Sequence, residues 1–288
     1  MKQSFRKDFL GKEVREMSDV IKILTGLPSM VQRGIFLGIL TAVAASLLGV
    51  TLVLKRYSMI GDGLSHVAFG AMSIALVLGF APLAFAIPVV IASAFLLMYV
   101  SRKSKMGGDS AIALVSSTAL ALGIGAVSLA GGVNTNVNDY MFGSIVAISK
   151  EDLYLCVPVL TAVIIIFVLL YNRIFAVTFD EGFAKVSGVK TEIYNMIVAI
   201  LTAVTVVIGM RIMGTLLISG LIIFPALSSM RLFKSYKSVI ISSVIVSCLC
   251  FIAGTLLSII FETPVGASIV IANAVIFTLF TLVARITK

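Results

Sequence analysis

The chain of 288 residues is 60% hydrophobic and only 12% charged, with a mean hydropathy of +1.16. Soluble domains run at about 45–50% apolar and about 25% charged residues, so a water-soluble fold, which has nowhere to hide this much apolar surface, is excluded. The net charge of +9 fits a polytopic protein whose cytoplasmic loops gather Lys and Arg, and no nucleic-acid partner is expected.

Residues 1–33 form an N-terminal tail with seven Lys and Arg. Within it, 17–33 could lie as an amphipathic helix in the membrane interface. No charged start followed by a short apolar core and a small-residue cleavage site marks a signal peptide. From residue 34 to 288 the chain reads as a single transmembrane domain. A bilayer's hydrocarbon core takes about 20 apolar residues as a helix, and such runs occur at 34–54, 62–79, 82–101, 110–130, 153–172, 192–210, 213–232, 238–261 and 265–284. The run at 62–79 and the pair around Arg211 are short or closely spaced enough to be re-entrant, so eight to ten spans fit and nine are expected. Alternating ten-residue strands of a β-barrel are missing. The fold class is therefore an all-α, polytopic membrane protein.

Orientation follows from the basic residues. Thirteen Lys and Arg fall in connections on one side: Lys55/Arg56, Arg102/Lys103/Lys105, Arg173/Lys185/Lys190, Arg231/Lys234/Lys237 and Arg285/Lys288. The opposite loops hold only Lys150 and Arg211, which makes the first side cytoplasmic. Nine spans then place the basic tail outside, a conflict resolved if 17–33 lies in the interface or the span count differs by one.

Two connections are long. The outer loop near 131–152 is rich in Asn and Gly and carries Tyr140 and Phe142. In the inner loop near 173–191, Asp180 and Glu181 open a short helical stretch, where the helix dipole favours anions. Gly188 closes it in the left-handed conformation glycine tolerates. Phe179, Phe183 and Val186 recur at three- and four-residue spacing, an apolar stripe on a segment too short to span. Such a stripe docks either on a partner or beneath the chain's own helices. The cysteines, Cys156, Cys248 and Cys250, lie in apolar runs without disulfide or zinc spacing and read as small buried hydrophobes.

The chemistry concentrates in "MIGDGLSHVAFG". Asp62 and His66, the chain's one histidine, are four residues apart and share a helix face. A carboxylate and an imidazole suit zinc or another divalent transition metal, and ionisable groups in membrane helices mark pathways or cavities. A structural reading fits as well: Asp62 as the helix N-cap and His66 snorkelling to the interface. Two ligands do not fill a tetrahedral shell, but a symmetric dimer doubles them to two Asp and two His around its axis. Gly214, Gly220 and Pro225 in "GTLLISGLIIFPALSSM" allow close packing and a kink within one span. No GxxxxGK[ST] phosphate loop and no HExxH occur, and a single histidine restricts Ser-His catalysis.

Four patches carry a family resemblance. "LLGVTLVLKRYSMIGDGLSHVAFG" resembles the first helix end, basic turn and "GDxLSH" segment of the membrane permease subunits of zinc and manganese ATP-binding-cassette importers. "MFGSIVAIS" is similar to that family's external "FGSILA" element, "TFDEGFAKVSGV" to its cytoplasmic "FDxxxAxxxGV" segment, and "GTLLISGLIIFPALSS" to its "GTLLxxxLLxxPAxxA" span. They stand in the family's order from about residue 34 onward. One departure is Pro225-Ala226-Leu227-Ser228-Ser229 in place of "PAAxA", a bulkier surface if that face meets another protomer.

The resemblance implies a type II ABC importer-like permease in the bacterial plasma (inner) membrane. It also implies homodimerisation, two cytoplasmic ATPase subunits that bind the ATP, an extracytoplasmic metal-binding protein that delivers the ion, and membrane lipid around the spans. Asp62 and His66 would contact the transported Zn2+ or Mn2+ in the pathway, with no cofactor held permanently and no catalytic residue in this chain. Thr178 to Val189 would be the coupling helix docked in the ATPase, with Phe179, Asp180, Phe183, Ala184 and Gly188 its coupling residues. Gly214, Gly220 and Pro225 would serve helix packing along the dimer pathway. Alternative readings are a permease for an iron chelate or cobalamin, whose wider pathway would not need paired metal ligands, and an intramembrane enzyme, for which paired catalytic groups are lacking.

Overall fold

Inside a bilayer nothing but the chain itself can satisfy backbone N–H and C=O groups, so a chain of this composition must be helical. In the computed structural model, which describes residues 29–103, 108–130 and 150–286, every regular element is a helix. We number them α1 (Ser29–Leu54), α2 (Ile60–Val77), α3 (Pro82–Lys103), α4 (Gly108–Leu129), α5 (Lys150–Leu169), α6 (Tyr171–Phe179), α7 (Glu181–Val186), α8 (Thr191–Met213), α9 (Thr215–Leu232), α10 (Tyr236–Phe261) and α11 (Val265–Ile286). Among the described residues, nine of these are long and apolar enough to cross a membrane; the exceptions are α6 and α7. The expected tail helix before residue 29, the outer loop with Tyr140 and Phe142, and the "MFGSIVAIS" element lie outside the described residues.

The span count agrees with the run lengths, and the boundaries shift. Residues 29–33, assigned above to the tail, are continuous with α1. The fifth span ends at Leu169 instead of 172, and the chain then turns into α6, a helix where a loop is expected from 173 on. Arg211 lies within the last turn of α8 instead of interrupting it. Gly214 follows with φ +83°, so it is the break between α8 and α9 and not a packing point inside one span.

The helices divide into an inner and an outer set. In α1, α2 and α8, 72% of an apolar 18-residue window is buried, against 22% or less in α3, α4, α5 and α11. The outer helices turn most of their surface to lipid. Without a hydrophobic force between helices in lipid, association depends on close backbone approach at small residues. The seam between the parallel helices α2 and α4 shows it: a Cβ on Gly63 would strike Ile112, and one seven residues on, at Gly70, would lie 2.3 Å from the Ala119 carbonyl oxygen. Gly220 serves α9 similarly, where a Cβ would stand 3.1 Å from a Val270 methyl of α11. Pro225 is buried within α9, where its missing N–H frees the Leu221 carbonyl.

Buried hydroxyls are bonded mainly to their own helices. Thr41, Thr202 and Thr255 each donate to the carbonyl four residues earlier, at 2.7–2.8 Å. Ser247 instead crosses from α10 to the Ala42 carbonyl of α1 at 3.1 Å. All three cysteines are unbridged; Cys156 and Cys250 are buried, as expected of small hydrophobes, while Cys248 is only half-buried.

Candidate functional site

Asp62 is the third residue of α2, and the cap position belongs to Met59, which makes no side-chain cap bond. The N-cap reading of Asp62 is therefore set aside. Its neighbour Gly61 rests on the side chain of Ile222, about halfway along α9. This depth argues against an imidazole merely reaching for the interface. His66 Nε2 stands 3.8 Å from Asp62 Oδ2, and the two side chains keep 27% and 39% of their surface uncovered. A tetrahedral ion about 2.1 Å from each would hold the two atoms about 3.4 Å apart. A small rotamer adjustment therefore lets both bind one ion, and they stand on a face that no other described element fully covers.

The pair is a partial ligand set. No group of three or more His, Cys, Asp or Glu able to hold a metal exists among the described residues. Among the described residues His66 Nδ1 is buried without a hydrogen-bond partner, so none of them gives the ring the second contact that usually fixes a metal-binding imidazole. α9, packed beside α2, also leaves a stripe at helical spacing exposed or half-buried: Leu216, Ser219, Ile223, Leu227 and Met230.

The second candidate feature lies in α6 and α7, at the basic end of the molecule. Asp180 caps α7, its Oδ1 accepting from the Phe183 N–H at 2.8 Å. At the far end Gly188, with φ +80°, donates to the Lys185 carbonyl and Val189 to the Ala184 carbonyl. These two bonds make the helix-ending pattern that requires a left-handed residue. Ala184 is buried, while Phe183 and Val186 are 69% and 90% exposed. The apolar stripe expected on one helix is divided, because Phe179 is the last residue of α6. There it packs with Phe175 at a ring distance of 4.9 Å and edge-on to Tyr236 at 5.9 Å.

Tyr236 opens α10 and joins this segment to the span domain. It also packs at a tilt against the rings of Phe175 at 5.0 Å and Tyr171 at 5.4 Å, and its hydroxyl meets Thr51 of α1 at 3.1 Å. Burial pushes the Tyr171 phenol above its ordinary pKa. The Asn195 amide donates to Glu181 Oε1 at 3.0 Å and accepts from Lys55 Nζ. Sequence reasoning had no signal for Tyr236, Asn195 or Lys55 as a cluster, since they are separated by 40 residues or more along the chain. These contacts gather the α1–α2 turn, α6, α7 and the starts of α8 and α10 at one end, the end assigned to the cytoplasm by its basic residues. Elsewhere, Arg211 of α8 pairs with Asp152 of α5 at 3.6 Å.

Nine apolar helices among the described residues, an acid–imidazole pair on an open face of one of them and a capped, exposed short helix at the basic end fit a multi-pass membrane transport protein. The chain belongs to the ABC 3 transport family, whose profile matches residues 28–284. It is 29% identical to the high-affinity zinc uptake system membrane protein ZnuB of Haemophilus influenzae, over 85% of this chain and 95% of that one. It is 27% identical to the manganese import system permease protein ScaB of Streptococcus gordonii, over 85% and 88%. The fold is similar to that in the structure of PsaBC from Streptococcus pneumoniae in complex with Fab, with a TM-score of 0.81 and 25% identity over 92% of this chain and 95% of that one. Within this family the chain is the membrane permease, and ATP hydrolysis belongs to a separate subunit.

Proposed function

We propose that this chain is the permease subunit of an ABC importer for a divalent transition metal ion, zinc or manganese, in the bacterial plasma membrane. The observation that carries the reading is the Asp62/His66 pair, half-open and level with the middle of α9. Zinc and manganese uptake in the names of the relatives supports the choice of cargo. Two protomers related by a two-fold axis would complete the ligand set with two carboxylates and two imidazoles. An extracytoplasmic metal-binding protein would supply the ion, and ATPase subunits would bind α7 through Phe183 and Val186, with Phe179, Asp180, Ala184 and Gly188 shaping that face. Gly220 and Pro225 would set the packing of α9 along the pathway. An iron chelate or cobalamin would need a wider path and has no use for a paired acid and imidazole.

The test is uptake of radiolabelled zinc and manganese ions into proteoliposomes holding the whole transporter. Asp62→Asn and His66→Gln should each abolish uptake while the complex still assembles. Unimpaired uptake in both variants would remove the pair from the pathway. Phe183→Glu should release the ATPase on purification, and normal retention would overturn the docking role of α7.

A further inference from the structure

At the basic end one contact, made by a buried amide, serves neither the metal pair nor the exposed face of α7. Asn195, in the second turn of α8, is 4% exposed. Its amide nitrogen donates to Glu181 of α7 and its amide oxygen accepts from Lys55. Lys55 lies in the turn between α1 and α2. In that turn Arg56 takes a left-handed conformation, φ +60°, that residues other than glycine seldom adopt. Its N–H donates to the Val53 carbonyl and that of Tyr57 to the Leu52 carbonyl, and α2 starts three residues later. A cavity of about 20 Å³, enough for about one water, lies beside the contact, bordered by Leu52, Lys55, Tyr57, Ile60, Asn195 and Thr202.

We propose that Asn195 is a positioning residue for transport, clasping α7 to the turn that sets α2, so that displacement of α7 reaches the Asp62/His66 face. An amide suits the task because it offers an acceptor to the cation and a donor to the anion at once. Aspartate in its place repels Glu181, and leucine binds neither partner. Both bonds converge on a buried amide and involve charged groups, the stronger class of protein hydrogen bond, with Lys55 half-buried and Glu181 exposed at its outer end. The inference rests on the reading of α7 as the ATPase-docking helix.

The experiment uses the complete complex in proteoliposomes and measures zinc or manganese ions moved per ATP hydrolysed, together with ATPase retention. Asn195→Leu should retain the ATPase and hydrolyse ATP, while ions moved per ATP fall at least about ten-fold. Asn195→Asp, close to the native shape, should do the same and decides the matter if the leucine variant does not assemble. The charge swap gives a second arm. Lys55→Glu or Glu181→Lys alone should uncouple, whereas the two together should restore coupling, because the amide can turn over and exchange its two ends. That rescue should vanish when Asn195→Leu is added. Full coupling in both Asn195 variants, rescue without Asn195, or loss of the ATPase from the Asn195→Asp complex would each overturn the proposal. Phe183→Glu reports on docking alone, so failure of that reading is seen separately.

Discussion

Replacing Gly70 by alanine tests whether α2 and α4 meet backbone to backbone. The added Cβ would lie 2.3 Å from the Ala119 carbonyl oxygen and 3.0 Å from its carbon. Neither atom belongs to a flexible side chain, so the helices must part by about 1 Å to reach ordinary contact. A gap of that size forfeits roughly a quarter to a half of each facing dispersion contact, and overpacking of this kind costs about 1–3 kcal/mol. Alanine recovers about 0.5–1 kcal/mol of helix propensity over glycine, leaving a net loss of about 2 kcal/mol if the upper end applies. Gly125, on α4 itself, is the control, since a Cβ there meets nothing within 4 Å. Gly125→Ala should stabilise by about 0.5–1 kcal/mol. In a thermal-stability assay on the purified protein, with about 2–4 °C per kcal/mol at this chain length, Gly70→Ala should melt roughly 4–8 °C lower and Gly125→Ala slightly higher. Equal shifts of the same sign would refute the seam.

Asp180→Ala removes the cap bond to Phe183, worth about 1 kcal/mol. In a six-residue helix that should be visible as faster amide exchange across Glu181–Val186 and weaker ATPase retention, with Asp180→Asn nearly unaffected. Gly188→Ala forces an L side chain to φ +80° at a cost of about 1–2 kcal/mol, and should loosen the same segment from its other end. Asp152→Asn breaks a 3.6 Å pair with Arg211 whose side chains are 16% and 31% exposed. A stability change below about 1 kcal/mol is expected there, and a larger fall would show that this pair locks α5 to α8.

Much of the architecture could be read from the sequence because the bilayer imposes a length. Nine apolar runs became nine candidate spans among the described residues, since each must close its own backbone bonds across a fixed thickness. The caps of α7 were legible for a related reason: Asp180 and Gly188 act on backbone groups within four residues of themselves, so no distant contact is needed to specify them. The tertiary structure decided what depends on distant residues. It made Asp62 an open side chain at mid-depth and not a cap, because Gly61 lets α2 settle against Ile222 of α9. It turned residues 171–179 into a helix held by Tyr236, more than fifty positions away, and gave Phe179 to that helix. It joined Lys55, Glu181 and Asn195 through one amide. Such contacts follow from how helices pack, and short-range sequence patterns record only what each helix needs for itself.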